Sequence, residues 1–315
     1  MNQLPPVRNL TPYSLRHSLL RCLAPLLLVA GCSTSASYNQ ANNQANNHAN
    51  IPTRLEAALP ADILLLGEQH DAAEHQQIHQ QVVQNLARNG RLAALALEMA
   101  DAGTSTAALA RNSSEDAVQQ ALQWSDKSWP WKHYGAAVMA AVQAGVPVLG
   151  ANLPRAQMRA AMADTSLDTQ LPAVFWQAQQ QAIRSGHCDL LPEAQIVPMA
   201  RIQIAKDLRM ANTLVHNVHM GQVVVLLAGS GHVDRRLGVP SHLKHLAPSL
   251  RVSAIRLLPQ EKGDTPPSAL PNILPNILPI GALGAFDAVW PTPPVPTQDY
   301  CATLRPPSMQ AQPQP

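Results

Sequence analysis

The stretch Asp62-Ile63-Leu64-Leu65-Leu66-Gly67-Glu68-Gln69-His70 decides how the chain folds. An unbroken aliphatic run ends at a glycine, and the next three positions supply a carboxylate, an amide and an imidazole. A half-exposed strand would alternate apolar and polar residues. A continuous apolar run bounded by glycine instead fits a strand buried on both faces of a parallel sheet. A second copy lies far downstream, Val223-Val224-Val225-Leu226-Leu227-Ala228-Gly229-Ser230-Gly231-His232. Each run predicts an interior strand that delivers Gly-x-x-His at its carboxyl end. In an open parallel sheet such ends face one crevice, so the two segments are expected to meet in space.

Outward from these runs, strands are expected at 62–66, 92–97, 146–149, 222–228 and 251–258, with a last one at 286–290. Helices are expected at 72–88, 103–122, 133–144, 155–182 and 197–217. Strands alternating with helices predict an α/β fold, a mostly parallel sheet flanked by helices, in a single domain over residues 51–304. The proline-rich stretch 259–284, with its doubled Pro-Asn-Ile-Leu, reads as an inserted loop, and 305–315 as a disordered tail.

Only 13% of the 315 residues are charged, and the net charge is +2. No basic field exists to attract nucleic acid, and that partner class is set aside.

Residues 1–31 carry Arg8, Arg16 and Arg21 ahead of a short apolar run, the pattern of an export signal. The run ends in Leu28-Val29-Ala30-Gly31-Cys32, which resembles the bacterial lipobox, whose cysteine becomes the lipidated first residue. An ordinary secretion signal is the alternative. Ser33 in place of aspartate implies an outer-membrane anchor facing the periplasm, held by acyl chains such as palmitate. Residues 32–50, rich in Asn, Gln and Ala, have nothing to bury and read as a disordered tether. Beyond the signal, Cys188 and Cys301 remain. In an oxidising compartment they form a disulfide or stay as two buried thiols.

Glu68, Gln69, His70, Glu98, Asn152, Arg155 and His232 all follow strand ends. Taken singly, each has a structural explanation. Two Gly-x-x-His turns together with Glu98 point to a ligand site. His75 and His79, four apart on one helix, have a spacing that can hold a metal or simply edge the helix. Glu beside His suits metal binding or water activation. Imidazole, phenol and cations suit haem. Tyr134, beside Trp129, Trp131, Lys132 and His133, has an aromatic and basic setting of the second kind.

Gly67-Glu68-Gln69-His70-Asp71, Leu97-Glu98-Met99, Ala151-Asn152-Leu153-Pro154-Arg155, Gly186-His187-Cys188, Arg201 to Met210 and Gly229-Ser230-Gly231-His232 together resemble the ChaN family of haem-binding, iron-regulated lipoproteins. The resemblance implies a haem-binding protein rather than an enzyme. It would assist haem or iron uptake, form a homodimer around two face-to-face haems, and pass haem to an uptake receptor. It implies a tyrosine on each iron, for which Tyr134 is the expected residue, with Tyr300 the other tyrosine of the body. His70, His232, Glu68, Glu98, Arg155, His133 and Lys132 would complete the haem site. The same motifs resemble the wider TIKI and erythromycin-esterase superfamily, which implies instead a hydrolase using Glu68, His70, Glu98 and His232. A lipid-anchored partner module docking through the proline-rich segment leaves the crevice without a role.

Overall fold

The computed structural model describes residues 51–260, 284–296 and 298–302. The export signal, the tether, most of the proline-rich loop and the tail lie outside these residues.

A parallel six-stranded sheet forms the centre, in the order β3-β2-β4-β1-β5-β6. The strands are β1 (Ile63–Glu68), β2 (Leu92–Asp101), β3 (Val148–Asn152), β4 (Val223–Gly229), β5 (Val252–Pro259) and β6 (Ala288–Thr292). Helices α1 (Ile51–Ala57), α2 (Ala73–Arg88), α3 (Glu115–Ala121) and α4 (Trp131–Ala144) come before β3 in the chain. After it come α5 (Met158–Ala163), α6 (Ala173–Gly186), α7 (Glu193–Val215), α8 (Ser230–Val233) and α9 (Val239–Leu246).

The aliphatic run of β1 is explained by what covers it. Leu64 and Leu66 pack against Ile78, Val82 and Leu86 of α2 and Val138 of α4. Ile63 and Leu65 point the other way, toward Met210 and Leu214 of α7 and Leu243 of α9. Both faces are dry, so neither parity of the strand can be polar. The chain leaves β1 through α2 and passes over β4 to reach β2. It leaves β4 through α8 and α9 on the other face and passes over β1 to reach β5. The carboxyl ends of β1 and β4 therefore lie side by side where the strand order reverses, the place where an open α/β sheet opens a crevice. Glu68 is in register with Gly229.

Two helices expected from sequence take other forms. Of 103–122, only Glu115–Ala121 is helical. The preceding residues cover the outer edge of β3: Ser105 bridges Leu149, Thr106 N–H donates to the Val148 carbonyl, and Val148 N–H donates to the Thr106 hydroxyl. Pairing an open strand edge outweighs local helix propensity here. The stretch 155–182 is likewise broken. Asp164 accepts from Ser166 N–H at a 3-10 turn, and Pro172 restarts the chain as α6. Asp168 in that turn grips Arg201 of α7 through two 2.7 Å bonds.

Cys188, in the turn after α6, is disulfide-bonded to Cys301, across 113 residues of sequence with the Cα atoms 5.8 Å apart. Among the described residues no helix is long and apolar enough to cross a membrane.

Candidate functional site

Glu68 ends β1 with its side chain fully buried. Its Oε1 accepts from the Tyr134 hydroxyl at 2.6 Å and lies 2.7 Å from Nδ1 of His70. Its Oε2 lies 3.5 Å from Nδ1 of His79, without a hydrogen bond. Burial pushes the Glu68 carboxyl up, against the opposing pull of His70 and Tyr134. Burial would lower His70, but the Glu68 hydrogen bond and the charges of Glu98 and Glu68 outweigh it, and its pKa rises. Glu68 and His70 together therefore keep a proton that a solvated pair would give up more readily.

Glu98 stands past the middle of β2, buried. Its Oε2 accepts from Gly229 N–H at 2.7 Å, and its Oε1 lies 3.2 Å from Nε2 of His232. On the opposite side of the ring, Nδ1 of His232 is 2.5 Å from Oδ1 of Asp207 on α7. Gln203 also reaches Nε2, at 3.1 Å. An imidazole between two buried carboxylates is held as a cation: desolvation is overcome by Glu98 and Asp207, and its pKa is pushed up to about 10. Desolvation raises Asp207 to about 6 despite His232, whereas His232 and the Gly229 amide overcome burial at Glu98 and hold it far below the usual carboxylate range.

The two halves meet over Gly229. A Cβ placed there would sit 2.9 Å from Nε2 of His70 and 3.6 Å from Oε2 of Glu98. The missing side chain is what lets the β1 imidazole approach the β2 carboxylate. Both Gly-x-x-His turns thus meet at the carboxyl end of the sheet. His70 also faces the mouth: its side chain is 41% exposed, with its ring edge-on to Trp129 at 4.8 Å.

His75 and His79 do not form a metal pair. Nδ1 of His75 accepts from Gln69 N–H at 2.9 Å, and its Nε2 is 3.0 Å from the Thr292 hydroxyl. Burial lowers the two imidazoles to about 4 and about 3, so both are neutral. Among the described residues no group of three or more His, Cys, Asp or Glu could hold a metal ion.

Tyr134, expected as the iron ligand, lies in the core rather than on the surface. It is 1% exposed and donates its proton to Glu68. Burial and the neighbouring carboxylates raise its pKa far above that of an ordinary phenol, the reverse of what a phenolate ligand requires. Lys132 is exposed and His133 half-buried on the first turn of α4, and Arg155 is exposed beyond β3. Among the described residues the accessible phenol is Tyr300, 52% exposed. Its hydroxyl donates to Asp71 at 2.5 Å, and Gln69 Nε2 donates to it at 3.1 Å, both partners flanking His70. Asp207 carries one sequence signal, since 207 falls on the apolar stripe Ile196, Ala200, Ile204, Ala211, Leu214.

A flat, amphipathic ring such as a porphyrin needs an aromatic wall, a reachable N or O donor for iron, and cations for its acidic edge. Trp129 would be the wall and His70 and Tyr300 the donors. Lys132 and Arg155 would be the cations, with His133 a further N–H donor. The residues fit the group.

None of the curated proteins compared with the chain matches it. Its fold is similar to that of a ChaN of Campylobacter jejuni solved with cofacial haem binding, at 27% identity and a TM-score of 0.57, over 67% of this chain and 86% of that one. A Bacillus cereus protein of known crystal structure aligns at 15% identity and a TM-score of 0.36, over 70% and 73% of the two chains, a likeness too distant to bear on function. Residues 54–243, more than half the chain, match the family model described as haem-binding uptake, Tiki superfamily, ChaN. The chain belongs to this family.

Proposed function

We propose that the chain binds haem at the mouth of the crevice and serves haem or iron uptake in the bacterial envelope. The observation that carries this reading is the meeting of two accessible donors, His70 and Tyr300, at the turn after β1. The His70 ring is held by Glu68 against Trp129, and the Tyr300 hydroxyl is held by Gln69 and Asp71 on either side of His70. Ferric iron is a hard acid and takes an anionic oxygen, so Tyr300 is its ligand. Asp71 accepts the phenol's hydrogen bond and raises its pKa, so the iron itself would have to displace that proton. His70 supports the porphyrin edge, and Lys132, His133 and Arg155 meet the propionates. His70 and Tyr300 are both exposed, which suits a ring covered on its other face by a second copy of the chain. The lipobox-like sequence at Cys32 supports anchoring to the outer membrane on the periplasmic side, from which haem would pass to an uptake receptor.

One observation favours a second reading. The Asp207–His232–Glu98 relay abuts the Glu68–His70 pair across Gly229. Such an arrangement can hold and move a proton, as a hydrolase requires.

Titration of the purified chain with hemin separates the two. Haem binding gives a saturable Soret band and a phenolate-to-iron charge-transfer band that Tyr300→Phe abolishes. Absence of a saturable band, together with ester or peptide turnover lost in His232→Ala, would replace the first reading with the second.

A further inference from the structure

The disulfide ties the turn between α6 and α7, which carries Cys188, to the segment in which Cys301 immediately follows Tyr300. Tyr300 in turn rests on Asp71 and Gln69, in the turn after β1. The path from the α6–α7 turn to the His70 turn is thus one covalent bond followed by two exposed hydrogen bonds. Water competes with the hydrogen bonds and not with the covalent bond. Both cysteines are half-buried rather than enclosed in the core. The turn is also set against relaxation: Cys188 and Asp189 hold φ of 59° and 55°, left-handed values that non-glycine residues adopt reluctantly.

We propose that the Cys188–Cys301 bond is a redox-operated clasp that holds Tyr300 at the crevice mouth, so that the site retains its ligand when oxidised and releases it when reduced. This rests on the haem reading for the identity of the ligand and not for the existence of the clasp. Opening takes two electrons from a dithiol reductant. A thiolate of the reductant attacks one sulfur, the S–S bond breaks, and the other cysteine leaves as thiolate and takes a proton. The second thiol of the reductant then resolves the mixed disulfide. Cys188 and Cys301 end as thiols, and the reductant ends as a disulfide. Tyr300 then keeps its contacts with Asp71 and Gln69 but loses its covalent tie to the α6–α7 turn.

The test compares the full chain oxidised, reduced by dithiothreitol, and as Cys188→Ser/Cys301→Ser, with circular dichroism establishing that each stays folded. Two readouts are taken: the rate at which bound hemin is lost to apomyoglobin, and hydrogen exchange of amides 69–72. The clasp predicts hemin loss at least about tenfold faster in the reduced chain and the double variant, and faster exchange at 69–72. Asp71→Ala keeps the disulfide but cuts the Tyr300 contact, so its hemin loss should be fast in both redox states. Equal rates and unchanged exchange in oxidised and reduced chain would overturn the clasp and make the bond a structural staple, with haem binding intact. If hemin binds in neither state, the haem reading fails and exchange at 69–72 alone decides the clasp, an unchanged pattern overturning it.

Discussion

Asp207 of α7 and His232, which follows β4, are 25 residues apart in sequence, and their Oδ1 and Nδ1 atoms lie 2.5 Å apart. With Glu98 on the far side of the ring, they place a buried cation between two buried anions. Such a set is costly to break from one side. His232→Gln should destabilise the chain by about 3–5 kcal/mol, because two carboxylates are left without their cation, as urea unfolding will show.

Asp207→Asn keeps the shape and removes one of the charges that hold the imidazolium. His232, pushed up to about 10, should then titrate at lower pH, which an NMR titration of its Cε1–H will register. In the intact chain the raised pKa contributes stability that is fully present below about 6.5 and is lost as pH rises through about 10. An alkaline decline in stability should therefore flatten in His232→Gln.

The acid side has a different origin. Burial lowers His79 to about 3 and His75 and His242 to about 4. Below about 6.5 the unfolded chain takes up protons that these folded imidazoles refuse, so stability falls as pH drops from 6.5 toward 4. Each tenfold loss of proton affinity on folding is worth about 1.4 kcal/mol. His79→Leu should therefore reduce that fall by about 2–3 kcal/mol, as stabilities from urea unfolding across the window will show.

Tyr134→Phe removes the hydroxyl that donates to buried Glu68. The expected loss is about 1–3 kcal/mol of stability, with the spectrum of bound hemin unchanged. A changed charge-transfer band in this variant would return the iron ligand to Tyr134.

Gly229→Ala tests the closeness of the two halves. The added methyl would meet Nε2 and Cε1 of His70 at 2.9 and 3.2 Å. The half-exposed ring can swing outward, so stability should change by no more than about 1 kcal/mol in thermal unfolding. Hemin affinity should fall several-fold as His70 leaves Trp129.

Much of this is legible in the chain because strands buried on both faces announce themselves. The runs of β1 and β4 leave no parity for polar residues, and the groups at their carboxyl ends, Glu68, His70 and His232, follow from the parallel sheet. Glu98 follows from the same rule. Tyr134 misleads through its aromatic and basic neighbours, although its spacing from Trp131 and Val138 is that of the inward face of α4. Asp207 escapes notice because a lone acid among Lys206 and Arg209 looks solvated, and its partner is on another element. Within 103–114 only Ala107 to Arg111 favours helix, the Gly, Thr, Ser and Asn around it do not, and the demand of the β3 edge for partners lies outside any local window. The place of Tyr300 depends on a bond between Cys188 and Cys301, a distance no sequence carries.

Anomalous scattering from iron in crystals of the chain grown with hemin tests the central claim most directly. The account predicts one iron per chain, within bonding distance of the Tyr300 oxygen and with the porphyrin edge against His70 and Trp129. Iron bound on another face of the molecule, or crystals that take up none, would contradict it.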